Sequence, residues 1–157
     1  AEIRAASNGL SAIIDVEIGL HEKYCAGWGL DAADLENAEA YDATLAYTDY
    51  VLERGMAGDL LDLHVALAPC IVGYGEIGAR LLADKNTRLD GNPYRDWIDM
   101  YGGAAYQEIA AEAVQYLDII AEARNVAARQ ADLIATFRQA TRLETDFWQV
   151  GLDAARA

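Results

Sequence analysis

Apolar side chains recur at intervals of three and four residues along almost the whole chain, and this spacing is the strongest constraint on its fold. One such series lies on a single side of a helix and comprises Ile13, Val16, Leu20, Tyr24 and Trp28. No strand-like alternation extends beyond about four residues, and only two prolines interrupt the 157 residues. The pattern therefore predicts an all-α bundle, organised as a single domain over residues 1–157.

Glycine, proline and polar segments divide this pattern into helices. The predicted helices cover about residues 3–28, 38–55, 59–84, 104–123 and 127–155, with a shorter one around Trp97 and Tyr101. A polar connector is expected from Asp31 to Asn37 and a loop from Asp84 to Pro93. Pro69 is expected to kink the third helix, and Pro93 to lie in the first turn of the helix after the loop.

The charge excludes several classes of partner. The chain has 26 acidic and 12 basic residues, a formal net charge of −14. Such a surface repels the phosphates of nucleic acids and of anionic membranes, so neither is an expected partner. The apolar run Val65–Val72 is far shorter than the roughly 20 residues of a membrane span. These features predict a cytoplasmic protein.

One motif is misleading. Residues 73–78 fit the pattern G-x-G-x-x-G of dinucleotide-binding proteins. That motif binds phosphate only between a strand and a helix, and no strand is predicted on either side. The glycines are better explained by close packing of helices, or by close approach of a ligand to the backbone.

Cys70 is a candidate nucleophile. It follows Pro69, which opens the helix wall, and it shares a helix face with Tyr74. The nearest following basic residue, Arg80, is too distant along the helix to hold a thiolate, so the thiol proton would pass to a base or to the substrate. The alternative is a buried structural cysteine, which is the commoner role.

Glu144 is the second candidate, because it lies within an apolar helix face. That face comprises Leu133, Phe137, Ala140, Phe147, Trp148 and Gly151. A buried carboxyl is costly unless it is paired or protonated, and a protonated carboxyl suits a general acid. An ion pair with Arg138 or Arg142 is an equally good explanation.

The tyrosines form a third candidate group. Nine tyrosines accompany only two phenylalanines. Tyr47, Tyr74 and Tyr101 fall on inward helical faces, where their hydroxyls need partners. Together they could form an aromatic box with polar tips for a flat heterocycle, although each by itself is explained as a core residue.

Metal and cofactor sites are not expected. Glu17, His21 and Cys25 have helical spacing, but two or three ligands fall short of a complete site, and the chain has only two histidines. A carboxylate-bridged diiron bundle needs paired Glu-x-x-His motifs, which His64 does not provide. Cys25 and Cys70 also make no disulfide framework.

Four segments resemble blocks of a known family. Residues 66–78 resemble the signature around a reactive cysteine, residues 92–103 a second block, residues 143–148 a C-terminal block, and residues 46–50 a weaker one. They occur in family order over essentially the whole chain. The family is the TenA-type thiaminase II (aminopyrimidine aminohydrolase) group, whose fold is the haem-oxygenase-like all-α bundle.

The resemblance implies a hydrolase of thiamine salvage that acts on thiamine or on 4-amino-5-aminomethyl-2-methylpyrimidine and gives the hydroxymethylpyrimidine. It makes Cys70 the nucleophile and Glu144 the acid/base that contacts a ring nitrogen. The pocket residues implied by the resemblance are Tyr47, Tyr74, Tyr101 and Phe147. It also implies no cofactor and a homotetramer. The alternative is a non-catalytic regulatory or interaction bundle with a vestigial pocket.

The chain departs from the family at its start. Family members begin with further helices that carry an aspartate for the amino-amidine edge of the pyrimidine, and that region has no counterpart before Ala1. The chain is therefore expected to be an N-terminally truncated form of the bundle, and we expect a fragment rather than a natural short form.

Overall fold

The computed structural model describes residues 18–124, 126–154 and 156, and all regular structure within them is helical. Its contacts divide the chain into two compact units, one ending at Ala40 and the other beginning at Tyr41. The α-helices are α1 Gly19–Gly27, α2 Ala32–Glu36, α3 Asp42–Ala57, α4 Leu60–Ala68, α5 Tyr74–Ala83, α6 Arg95–Gly102, α7 Ala104–Glu122 and α8 Val126–Ala154. The prediction of an all-α fold is confirmed.

The first unit corrects one prediction. The polar segment after α1 is not a plain connector, because residues Ala32–Glu36 form helix α2. Asp31 caps this helix by accepting from the Asp34 N–H, and the Asp34 side chain accepts from the Asp31 N–H in return. The predicted helix over residues 3–28 is described only from Gly19 onward, and its earlier part lies outside the described residues.

The helical run of residues 60–83, predicted from the sequence as the third helix, contains a π-helical segment. Helix α4 continues through Pro69–Gly73, which is π-helical, directly into α5. Proline lacks the N–H that an α-helix needs, and the wider π-helical turn accommodates its ring. The expected disturbance at Pro69 is therefore a π-helical turn.

The glycine motif lies in this helical run, as the sequence argument required. It begins at Gly73, the last residue of the π-helical segment, and ends at Gly78 in α5. A side chain at Gly78 would overlap the backbone of Tyr101 and Gly102, so this glycine allows α5 and α6 to pack closely. The explanation by helix packing is confirmed.

Two smaller expectations were wrong. Pro93 lies in a turn before α6, because the Asn92 side chain accepts from the Tyr94 N–H and delays the first helical residue to Arg95. The hydrophobicity of Leu45 predicts an inward position on α3, as for Tyr47 and Val51. Leu45 is exposed, whereas Tyr47 and Val51 are buried.

The buried face of α8 also differs from the predicted one. Its buried residues are Leu133, Thr136, Ala140 and Glu144. Phe137, Phe147 and Trp148 are partly exposed instead. The observed face follows the helical period more closely, since its members are separated by three or four residues. Hydrophobicity alone therefore misplaced the aromatic residues.

Two apolar clusters form the core. One joins Tyr47 and Val51 of α3 to Ala66 of α4 and Ala140 of α8, with Cys70 packed against it. The other joins Leu61, Ile120 and Leu133 from α4, α7 and α8. Helix α4 contributes to both, so it is the central element of the second unit.

The run Leu60–Ala83 is long and apolar enough to cross a membrane by length and composition, with a mean hydropathy of 1.4 in its best window. The uninterrupted run Val65–Val72, considered in the sequence analysis, is therefore only part of a longer apolar helix. In this structure α4 packs against α3, α7 and α8, and α5 packs against α6 and α7. A helix that packs against neighbours on several sides has such a composition in a water-soluble bundle as well. The length and composition of this run are therefore weak evidence of a membrane span.

A buried ion-pair cluster joins the start of α4 to α3 and α8. The Asp62 side chain is 1% exposed, and its carboxylate accepts from Arg54 at 3.3 Å and from Arg129. It also accepts from the Asp59 N–H at 2.8 Å, while Asp59 accepts from Arg129. A side chain at Gly58 would overlap this carboxylate.

We expect Asp62→Asn to destabilise the fold strongly. Asp62→Asn removes the buried charge that accepts from Arg54 and Arg129. Asp132 and Asp59 remain as partners of these arginines, so we expect the loss of the charged hydrogen bonds to cost about 1.5–3 kcal/mol in free energy of unfolding. Chemical denaturation at neutral pH measures this change. The matched control is Asp90→Asn, since Asp90 is fully exposed and pairs with Arg95 at the surface. Equal stabilities of the two variants would contradict the prediction.

The same carboxylate makes stability depend on pH. Burial by itself would raise the pKa of Asp62, but hydrogen bonds from Arg129 and the Asp59 backbone, with the charges of Arg129 and Arg54, lower that pKa below its usual value. Because the pKa of Asp62 is lower in the folded state, its ionised carboxylate stabilises the fold fully when the pH is above the unfolded-state pKa of about 4. This stabilisation is lost as the pH falls further, through the folded-state pKa. Chemical denaturation between about pH 6 and pH 2 should show that the free energy of unfolding decreases more steeply with falling pH in the wild type than in Asp62→Asn.

Candidate active site

Glu144 is buried in the interior of the second unit, with 8% of its surface exposed. Its Oε1 accepts a hydrogen bond from the Tyr74 hydroxyl at 2.8 Å and another from the Trp148 indole N–H at 3.2 Å. Its Oε2 is buried and has no hydrogen-bond partner among the described residues. No ion pair with Arg138 or Arg142 is observed there, so this carboxyl is held by neutral donors.

Tyr74 holds the carboxyl from α5. Burial, followed by the hydrogen bond and negative charge of Glu144, raises the pKa of the Tyr74 hydroxyl far above its usual value. Tyr74 therefore stays protonated and remains a donor to Oε1 at physiological pH.

Tyr47 approaches the same carboxyl from α3. Its hydroxyl lies 3.5 Å from the Ala66 carbonyl oxygen, which accepts a weak hydrogen bond. Burial raises the pKa of Tyr47 far above its usual value, and Cys70 and Glu144 raise it further. The Tyr47 hydroxyl is thus within interaction range of both candidate catalytic side chains.

Cys70 lies in the π-helical segment, directly after Pro69. Its thiol contacts the Leu67 carbonyl oxygen at 3.0 Å. Cys70 also contributes to the raised pKa of Tyr47 and of Tyr74. The thiol and the Glu144 carboxyl therefore interact with the same two hydroxyls. Segments of this kind are frequent at functional sites, where they redirect a side chain.

Four aromatic rings, those of Tyr74, Trp97, Tyr101 and Trp148, form a cluster at the site. Tyr74 contacts Trp97, Tyr101 and Trp148 with ring centroids 5.2–5.9 Å apart. Trp97 also contacts Tyr101 at 4.7 Å and Trp148 at 5.5 Å. The rings come from α5, α6 and α8, so these three helices meet at the site.

The structure brings five of the six predicted site residues into one cluster, namely Cys70, Glu144, Tyr47, Tyr74 and Tyr101. Phe147 is 37% exposed, and no ring contact joins it to the cluster among the described residues. Sequence reasoning missed Trp97 and Trp148 as site residues. Their signal was helical spacing, since Trp148 is four residues after Glu144 and Trp97 four before Tyr101.

Other candidate features lie apart from this cluster. One groove of about 470 Å³ lies between α5 and α7, near Val72 and Gln107. Another of about 420 Å³ lies between α3 and α8, near Tyr50 and Arg142. Within the described part of the chain, no three His, Cys, Asp or Glu side chains are placed to hold a metal ion. Glu17, from the metal alternative, lies outside that part.

The fold and the site define an all-α protein whose buried carboxyl, thiol and tyrosine hydroxyls come together in one helical unit. Comparison with known sequences specifies the class further. The TENA/THI-4/PQQC family profile matches residues 1–154, and the chain belongs to this family. The predicted family is thereby confirmed.

Individual relatives agree with this assignment. The chain is 37% identical to an aminopyrimidine aminohydrolase of Halalkalibacterium halodurans, over 90% of this chain and 62% of that protein. It is 38% identical to an uncharacterized protein of Haemophilus influenzae, over 91% of this chain and 66% of that protein. The chain therefore spans about two-thirds of the length of these curated relatives.

A solved structure supports the fold. The crystal structure of a TenA family transcription regulator from a Silicibacter species is similar with a TM-score of 0.86 and 43% identity. The match covers 96% of this chain and 68% of that protein.

We expect Tyr74→Phe to destabilise the protein by about 1–3 kcal/mol in free energy of unfolding. The variant removes one of the two donors to a buried carboxyl oxygen, and loss of a hydrogen bond to such a group has about this cost. Chemical denaturation measures the change, with Tyr94→Phe as the matched control because Tyr94 is 69% exposed. A Tyr74→Phe protein as stable as the control would contradict the described hydrogen bond.

Proposed function

We propose that the protein is a hydrolase of thiamine salvage that cleaves an aminopyrimidine, either thiamine or 4-amino-5-aminomethyl-2-methylpyrimidine. The family and the Halalkalibacterium relative support a thiamine-pathway enzyme with a small pyrimidine substrate. Under this proposal Cys70 is the nucleophile and Glu144 the acid/base.

One observation carries the proposal: the buried Glu144 carboxyl has one oxygen held by Tyr74 and Trp148, and the other has no partner among the residues that the structure describes. An unpartnered buried oxygen is costly, and a ligand with a ring nitrogen would satisfy it. Cys70 interacts with the same tyrosines as Glu144, which supports the proposal of a thiol nucleophile that acts together with this carboxyl.

The proposed reaction follows from these positions. Glu144 gives a proton to a ring nitrogen of the pyrimidine, and Cys70 Sγ then forms a bond to an electron-poor ring carbon. With the aminomethylpyrimidine, the thiol proton passes to the leaving amine, and the electrons of the ring expel ammonia from the exocyclic methylene. With thiamine, the electrons of the ring expel neutral thiazole, and the thiol proton passes to solvent. Water adds to that methylene and gives the alcohol. The C–S bond then breaks, Glu144 regains its proton, and the loss of a water proton restores the thiol.

The aromatic side chains have the complementary role of binding the ring. Tyr101 is buried and contacts Tyr74, so these rings offer flat apolar surface beside polar hydroxyls. Tyr47 and Phe147 remain proposed pocket residues, Tyr47 through its closeness to Cys70 and Glu144, and Phe147 by family resemblance alone.

A second candidate function is a non-catalytic regulatory bundle. It is favoured by the regulator name of the Silicibacter relative. Direct binding to DNA fits poorly with a net charge of −14, because this charge repels phosphates. A regulator built on this chain would therefore act through a protein or small-molecule partner.

The proposal includes an assembly and a location. A homotetramer in the cytoplasm is expected from the family resemblance. Light scattering of the purified protein tests the assembly, and cell fractionation tests the location.

Hydrolysis of aminomethylpyrimidine distinguishes the two functions. We expect Cys70→Ser and Glu144→Gln each to lower kcat/KM by about 10²-fold or more, because each loses a group that forms or transfers a bond. The matched control is Cys25→Ser, which alters the other thiol, in α1. Equal rates in all variants would remove the catalytic assignment, and absence of hydrolysis in the wild type would favour the regulatory bundle.

A further inference from the structure

Both hydrogen bonds to the Glu144 carboxyl end on the same oxygen. Tyr74 and Trp148 donate to Oε1, whereas Oε2 is buried and has no partner within the described residues. Two donors stabilise negative charge on Oε1 and occupy its lone pairs. Oε2 is therefore the oxygen left to exchange a proton with a bound molecule.

Trp148 is itself held in place. It follows Glu144 by one helical turn on α8, which brings the indole beside the carboxyl. Its ring contacts Tyr74 of α5 and Trp97 of α6, each at a centroid distance of 5.5 Å. Because rings from two other helices pack against the indole, its N–H stays directed at the Glu144 carboxyl.

We infer that Trp148 is a positioning residue for Glu144: together with Tyr74 it holds Oε1, so that Oε2 alone meets the pyrimidine ring. This inference rests on the proposed function. Indole is a donor only and does not titrate near neutral pH, so it orients the carboxyl without taking part in proton transfer. Trp97 supports the arrangement by packing against Trp148.

The inference predicts a specific kinetic effect. The last torsion angle of a glutamate side chain has a broad energy profile, so a carboxyl with fewer donors rotates more freely. A smaller fraction of molecules would then present Oε2 in the productive direction. Turnover should fall, whereas affinity for the ring should change little because the aromatic contacts remain.

The sharpest variant replaces Trp148 by benzothienylalanine, which keeps the shape of indole but has sulfur in place of N–H. We expect kcat for aminomethylpyrimidine to fall about tenfold, with KM within about twofold, as loss of one hydrogen bond to a charged group predicts. Trp148→Phe should show at least the same loss of kcat. The control is the same replacement at Trp28, which is 75% exposed.

A measurement without turnover tests the hydrogen bond directly. The protein has three tryptophans, so a spectrum of ¹⁵N-labelled indole groups contains three side-chain signals. The Trp148 signal should move on Glu144→Gln and exchange slowly with deuterium, whereas the Trp28 signal should stay fixed. Addition of aminomethylpyrimidine to Cys70→Ser should move the Trp148 signal as well.

The outcomes separate this inference from the proposed function. If the wild type hydrolyses the pyrimidine and the benzothienylalanine variant keeps its kcat within twofold, positioning by Trp148 is overturned. If the Trp148 signal does not shift on Glu144→Gln, positioning by Trp148 is overturned whatever the activity of the wild type. If the wild type is inactive but the Trp148 signal responds to both Glu144→Gln and the pyrimidine, the catalytic proposal fails and Trp148 still orients a binding carboxyl.

Discussion

The ion-pair cluster around Asp62 is the interaction on which the rest of the second unit depends. A nearly inaccessible carboxylate receives hydrogen bonds from Arg54 of α3, Arg129 of α8 and the backbone at the start of α4. Such a cluster is stable only when every partner is in place, because an unpaired buried charge is costly. The cluster therefore defines where three helices meet, and it requires a residue without a side chain at Gly58.

The site depends on the same three helices. Tyr47 comes from α3, Cys70 from the π-helical segment that continues α4, and Glu144 from α8. Ala66 and Ala140 pack in one cluster with Tyr47, and Cys70 packs against this cluster. Small residues there allow close approach of the helices. The placement of Glu144 relative to Tyr47 and Cys70 thus depends on how α3, α4 and α8 pack. Gly78 brings α6 with its aromatic rings close to α5, which supplies the Tyr74 donor.

Much of this arrangement was predictable from particular residues. Helical spacing located the helices, and Glu144 was conspicuous as a charge on an apolar face. Cys70 was conspicuous because it follows a proline within a helix. Other features were not predictable in this way. Phe147 has the hydrophobicity of an inward residue yet lies partly exposed, and Trp148 looked like core although its N–H contacts Glu144. Hydrophobicity measures the cost of exposure, whereas the direction of a side chain depends on its neighbours.

The sequence alone determined the class of fold and the family, because helical period and local motifs are encoded by neighbouring residues. It also identified the thiol and the carboxyl as unusual. Only the tertiary structure decided that Glu144 is held by Tyr74 and Trp148 rather than by Arg138 or Arg142, and that one of its oxygens has no partner in the described part of the chain. The physical reason is that the hydrogen bond from Tyr74 of α5 to Glu144 of α8 joins residues 70 positions apart, and its geometry exists only after the helices pack.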